Sequence, residues 1–151
     1  MNQQQNVAEQ QNIQSGSETQ PAFRTTIEPR FCETDAFGHI GNTVLPTWFE
    51  HARKPIFQEI SKSFSKEKWP TIIAHASYDF INQIFIESNV DIDISISHIG
   101  NKSFTVHHDA WQNNTKVAEG KTVIVWFDHS DQQTKPIPDE VRQRLQKFVI
   151  K

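Results

Sequence analysis

From Val90 to Ile96 the apolar residues Val90, Ile92, Ile94 and Ile96 alternate strictly with Asp91, Asp93 and Ser95. A period of two puts one set on each face of a strand, so this segment predicts an antiparallel sheet with one buried and one wet face. Turn signals extend the sheet. Gly100-Asn101 reads as a hairpin turn into a strand over Ser103 to Trp111, and Asn113-Asn114 as another into a strand over Lys116 to Phe127. Upstream, Ile72 to Glu87 reads as one long strand or two short ones. Phe23 to Cys32 reads as a first strand that Pro29 marks as edge or bulged.

Between these segments the period becomes helical. Leu45, Phe49, Ala52, Ile56 and Ile60 recur at spacings of three and four, which predicts one long helix from about Thr43 to Phe64. Thr43 is placed to cap it, and Pro46 in the first turn forfeits an N–H that has no partner there anyway. Pro55 should kink the helix or remove one ladder bond. A short amphipathic helix follows from about Pro138, with Val141, Leu145, Phe148 and Val149 on its apolar side. One strand, one long helix and about four antiparallel strands make an α+β fold, a sheet wrapped on a central helix.

Residues 1 to 20 are half Gln and Asn, a composition that buries too little apolar surface to offset the entropy of ordering, so residues 1–21 are expected to form a disordered tail and 22–151 the domain. The tail lacks the basic start and apolar core of a signal peptide, which points to the cytoplasm. A formal charge of −3 without a long Lys/Arg run argues against nucleic acid. No apolar run approaches the ~18 residues of a membrane span. The single cysteine, Cys32, cannot form an internal disulfide and reads as a small buried strand residue.

Chemistry concentrates in Arg30 to Asn42, RFCETDAFGHIGN. An acid, a histidine and two glycines precede a helix start, where free backbone N–H groups and the helix dipole stabilise a developing oxyanion. That suits acyl transfer. Alone, Asp35 would be a turn acid and His39 a surface or core-edge histidine. With Gly38 and Gly41 permitting close approach to a ligand, the functional reading of the pair is the better one. His107 and His108 are strand neighbours and point to opposite faces, and there is neither HExxH nor a Cys/His pair at ligand spacing, so no metal site is expected. The serine-hydrolase elbow, the P-loop and the dinucleotide fingerprint are absent. Glu50 and Arg53 are spaced to pair along the helix, and Glu50 lies ~10 Å from its start, away from Asp35.

The run RFCETDAFGHIGNTVLPTWFEHAR resembles the opening motif of hotdog-fold acyl-CoA thioesterases of the 4-hydroxybenzoyl-CoA thioesterase type. Weaker similarity continues through SYDFINQI, IGNKSFTVHHDAW and KVAEGKTVIVWFD to PIPDEVRQRL, over roughly residues 23 to 148. The resemblance implies a sheet curled round the helix, a homodimer or dimer of dimers joined sheet edge to sheet edge, and active sites at the subunit interface. It implies acyl-CoA as substrate, with coenzyme A a part of that substrate and no separate cofactor. By position, Asp35 matches the catalytic carboxylate, acting as nucleophile or general base. Asn42 matches the residue whose backbone N–H binds the thioester oxygen, His39 a histidine of some branches that assists proton transfer or positions water, and Gly38 the family glycine. Lys102, after the Gly100-Asn101 turn, is a candidate phosphate contact.

Two other readings share this fold. One is an enoyl-CoA hydratase or dehydratase, whose pattern carries Asn-Pro between the acid and a histidine five residues on; here Ala36-Phe37-Gly38 intervenes and the histidine comes at four. The other is a non-catalytic acyl-CoA-binding protein.

Overall fold

The computed structural model describes residues 21–150; the tail expected at the N-terminus therefore lies almost wholly outside the described residues. The chain runs β1 (Phe23–Ile27), α1 (Val44–Ala52), α2 (Lys54–Ser61), β2 (Thr71–Phe80), β3 (Val90–Ile99), β4 (Ser103–Gln112), β5 (Thr115–Asp128), β6 (Gln133–Thr134) and α3 (Asp139–Leu145). The strands form one antiparallel sheet in the order β1-β3-β4-β5-β2, with β6 added to β5. This is the expected α+β sheet, curled over its helices as in the hotdog fold. No described helix is long and apolar enough to cross a membrane.

The single long helix is not observed. It breaks at Arg53, whose amide is shared between the carbonyls of Phe49 and Glu50 at 3.3 and 3.2 Å, and whose own carbonyl receives Ile56 N at 3.0 Å to start α2. Pro55, in the first turn of α2, has no N–H to offer the preceding turn, so two shorter helices replace a kinked one. The apolar stripe survives the break: Leu45, Trp48, Phe49, Ala52, Ile56 and Ile60 are all buried against the sheet. The helix lies close over β5 because Gly120 has no side chain, and a Cβ there would collide with the Ser77 carbonyl and sit 2.9 Å from the Phe49 ring.

The turns behave as their residues require. Asn113 and Asn114 both take positive φ, 51° and 60°, the twist of a two-residue hairpin turn. β1 stops at Ile27, two residues before Pro29, and a 3-10 turn over Phe31–Glu33 follows, so the expected strand to Cys32 is cut short. Cys32 is consequently exposed rather than buried in a strand. The region after Phe80 holds one strand fewer than its longer reading allows, with only a bridge from Phe85 to His39.

The polar face of β3 is drier than its pattern suggests. Asp93 and Ser95 are buried, and the Asp93 carboxylate receives Arg24 Nε and Nη2 from β1 at 2.6 and 2.8 Å. At the opposite side of the sheet β2 pairs with β5 and has no second neighbour among the described residues, leaving a ten-residue edge on which Ile73 and Phe80 are exposed. The other edge is guarded, since β1 covers the first half of β3 and Val149 bridges Ile96.

Candidate active site

The loop from Glu33 to Gly41 is closed on itself and then pinned at both ends. Thr34 and Ile40 form a bridge, Asp35 N donates to His39 O at 2.8 Å, and Gly38, at φ +76°, supplies the left-handed residue that turns the tip. Ile40 N donates to Ile84 O, Gly41 N to Glu33 O, and Val44 N to Gly41 O, which leads the chain into α1. Beyond the loop, the Phe85 segment is fixed by the buried Gln112 of β4. Its side-chain oxygen accepts from Phe85 N at 3.0 Å, and its side-chain nitrogen donates to Phe85 O and Ser88 O at 2.7 Å each.

Asp35 is exposed, and its Oδ1 accepts two backbone bonds, from Phe37 N at 2.8 Å and His39 N at 3.1 Å. Oδ2 takes none among the described residues. One oxygen is thus held while the other faces solvent, able to take a proton or attack a carbonyl. The His39 imidazole does not bond to Asp35. It stands edge-on to Phe85 at 5.0 Å and is tilted 6.3 Å from Phe37, which is 84% exposed at the loop tip. The amides of Asn42 and Thr43, at the entrance to α1, have no acceptor among the described residues, and Thr43 caps by position without a side-chain bond. Open N–H groups at a helix start are an anion site by construction.

Asp35, Gly38, His39 and Asn42 therefore share one loop-helix junction. Lys102 does not join them within a chain. It lies on the β3-β4 turn, where Nζ donates to Thr134 Oγ1 at 3.3 Å and its carbonyl receives Trp126 N. β4 separates it from the Gln112 end that supports the loop, a run of ten residues or ~33 Å. Trp126 also lines a cavity of about 380 Å³ with Trp69, Phe127, Lys68 and Lys135.

Two buried polar features escape a reading by spacing. Glu33 is buried; burial pushes its carboxyl up, but the hydrogen bonds from Arg30 and Trp48 outweigh this and hold its pKa below the ordinary value. Trp48 had to find an acceptor for its indole N–H, the one signal in the sequence that an acid waited nearby. Arg53 turns away from the expected partner Glu50 and lies buried, with Nη1 bonded to Thr122 Oγ1 at 3.1 Å and 3.5 Å from His108 Nε2. His108 stacks on Phe49 at 4.6 Å, and burial together with the Arg53 charge pushes its pKa down to about 3. On the outer face, His107, Asp109 and Glu119 gather their ligand atoms within 4.8 Å, and the Lys116 ammonium sits on both carboxylates, 2.6 Å from Asp109, offsetting part of their charge.

Residues 29–145 match the family model described as the thioesterase-like superfamily. A predicted thioesterase from Bacillus stearothermophilus is 37% identical, the match covering 84% of this chain and 96% of that one at a TM-score of 0.80. A Thermus thermophilus thioesterase, solved with coenzyme A and Zn, is 26% identical over 85% of this chain and 94% of its own, with a TM-score of 0.75. An uncharacterised Bacillus subtilis protein, YsmA, is 28% identical over 87 residues, and the aligned stretch spans 58% of this chain and 59% of that relative's length. Because the family model takes in the site loop, the three helices and every strand of the sheet except β1, the chain belongs to the thioesterase-like superfamily.

Proposed function

We propose that this protein hydrolyses the thioester bond of an acyl-CoA, releasing a free acid and coenzyme A. The observation that carries the reading is Asp35, with one carboxylate oxygen fixed by two backbone bonds and the other open, on the loop that delivers the unpartnered Asn42 and Thr43 amides. Superfamily membership and the coenzyme A held by the Thermus thioesterase support it.

In this mechanism the thioester carbonyl oxygen accepts the Asn42 N–H, and a donor of that kind is worth ~10²–10³ in rate. Asp35 removes a proton from water as the water oxygen bonds to the carbonyl carbon, or attacks that carbon itself to give an anhydride that water then opens. The C–S bond breaks and the coenzyme A thiolate takes up a proton. Gly38 shapes the loop, and His39 orients water from its place beside Phe85.

The working unit is a homodimer or a dimer of dimers. β2 offers the long open edge, and such edges are normally covered. Antiparallel pairing of β2 with its copy sets the Thr71 end of one chain beside the Phe80 end of the other. Lys102 and the Trp69-Trp126 cavity then serve the partner's Asp35 loop as the phosphate-contacting end of the coenzyme A path, while the exposed Phe37 and Phe80 are covered.

Thiol release from a panel of acyl-CoAs, run beside hydration of an enoyl-CoA, tests the reaction. Hydrolysis of at least one member supports it. Hydration without thiol release, or binding without turnover, overturns it.

A further inference from the structure

The most heavily engaged side chain beside the site is that of Glu33, which is buried. Glu33 Oε2 accepts the Arg30 amide at 2.8 Å, and Oε1 accepts Arg30 Nη2 at 2.7 Å, Arg30 Nε at 3.2 Å and Trp48 Nε1 at 3.0 Å. Trp48 belongs to α1 and is buried, so this last bond ties the loop's entrance to the helix body. The same residue holds the loop's exit, because its carbonyl receives Gly41 N at 2.9 Å. Asp35 follows Glu33 by two residues and Asn42 follows Gly41 by one. The carboxylate and the oxyanion donor therefore hang from one anchor.

We propose that Glu33 is a positioning residue, whose buried carboxylate, tethered to Trp48, fixes the Asp35 oxygen and the Asn42 amide relative to each other. This rests on the reading of Asp35 and Asn42 as the reacting groups. A misplacement of ~1 Å costs about 10²-fold in a reaction held in near-attack geometry, so a rigid common anchor matters more to kcat than to binding. A purely structural Glu33 would instead affect stability alone.

The experiment compares kcat, KM and melting temperature for Glu33→Ala, Trp48→Phe, the double variant and Arg30→Gln, using the acyl-CoA that the wild type turns over fastest. Trp48→Phe keeps the ring packing and deletes one bond; Arg30→Gln acts through a side chain that is 69% exposed and leaves the core intact. Glu33→Ala, which removes the acceptor, and Trp48→Phe should each lower kcat roughly tenfold or more with KM within about twofold, and the double should be no worse than the poorer single, because both cut one tether. Arg30→Gln should fall between these and the wild type. Wild-type kcat in folded Trp48→Phe and Arg30→Gln overturns the proposal whether or not Glu33→Ala folds, as do losses that multiply in the double. Asp35→Asn run alongside separates the two readings. If it stays active, the role of Asp35 fails; if it is inactive while Trp48→Phe is unimpaired, the tether alone fails.

Discussion

Asp35 and His39 are joined through main chain and carboxylate, not through the imidazole: Asp35 Oδ1 lies 3.1 Å from His39 N, and Asp35 N lies 2.8 Å from His39 O. The histidine ring is left to Phe85 and to whatever enters the site. The two residues can thus be tested separately.

Asp35→Asn keeps an oxygen for the Phe37 and His39 amides while removing the charge. The loop should persist, the melting temperature should change little, and kcat should fall ~10²-fold or more. Thiol release beside a thermal melt reads both, and wild-type turnover would dismiss Asp35.

His39→Ala leaves the backbone bonds to Asp35 in place and removes the ring against Phe85. The loss in kcat, read from thiol release at saturating acyl-CoA, should be smaller than for Asp35→Asn. Unchanged kinetics would reduce His39 to a packing residue.

Gly120→Ala places a Cβ against the Ser77 carbonyl and the Phe49 ring. Backbone on one side and a buried ring on the other leave little room to yield, so the variant should lose about 1–3 kcal/mol in denaturant unfolding. A neutral outcome would mean that α1 can lift from β5 without cost.

His108 is buried with a pKa pushed down to about 3, against about 6.5 when unfolded. Between those values the unfolded chain binds the extra proton, so acid favours unfolding. Stability should fall by up to about 1.4 kcal/mol for each pH unit below 6.5 from this residue. His108→Gln should flatten that part of the stability-pH curve, read from chemical denaturation at several pH values. An unaltered slope would show that His108 is protonated in the fold.

Ile73→Asp puts a charge on the exposed β2 edge, where the side chain is 48% exposed. If β2 joins two copies, light scattering should show a smaller particle and specific activity should fall with it. A monomeric wild type with full activity would end the interface reading.

What the sequence disclosed was set by how local the cause was. The alternation over Val90–Ile96, the Asn113-Asn114 turn and the stripe of Val141, Leu145 and Phe148 each specify their element within a few residues, and all appear. That Asp35, Gly38, His39 and Asn42 share one loop-helix junction was legible for the same reason, since they lie within one short stretch. Long-range partners were not. Arg24 dries the Asp93 face from β1, and Thr122 and His108 draw Arg53 away from Glu50. Pro29 and Pro55 announced disturbances, but whether each would bend, bulge or end its element depended on the sheet and helix packing around it.

The break at Arg53 also divides the molecule's tolerance for change. The partial charge at a helix start arises from its own first turn, so the helix field at the Asn42 amide comes from α1 and not from α2. Loosening α2 disturbs first its contact with α3 and the core around Ile56 and Ile60. The break separates the reacting end from the half of the stripe that carries Ile56 and Ile60.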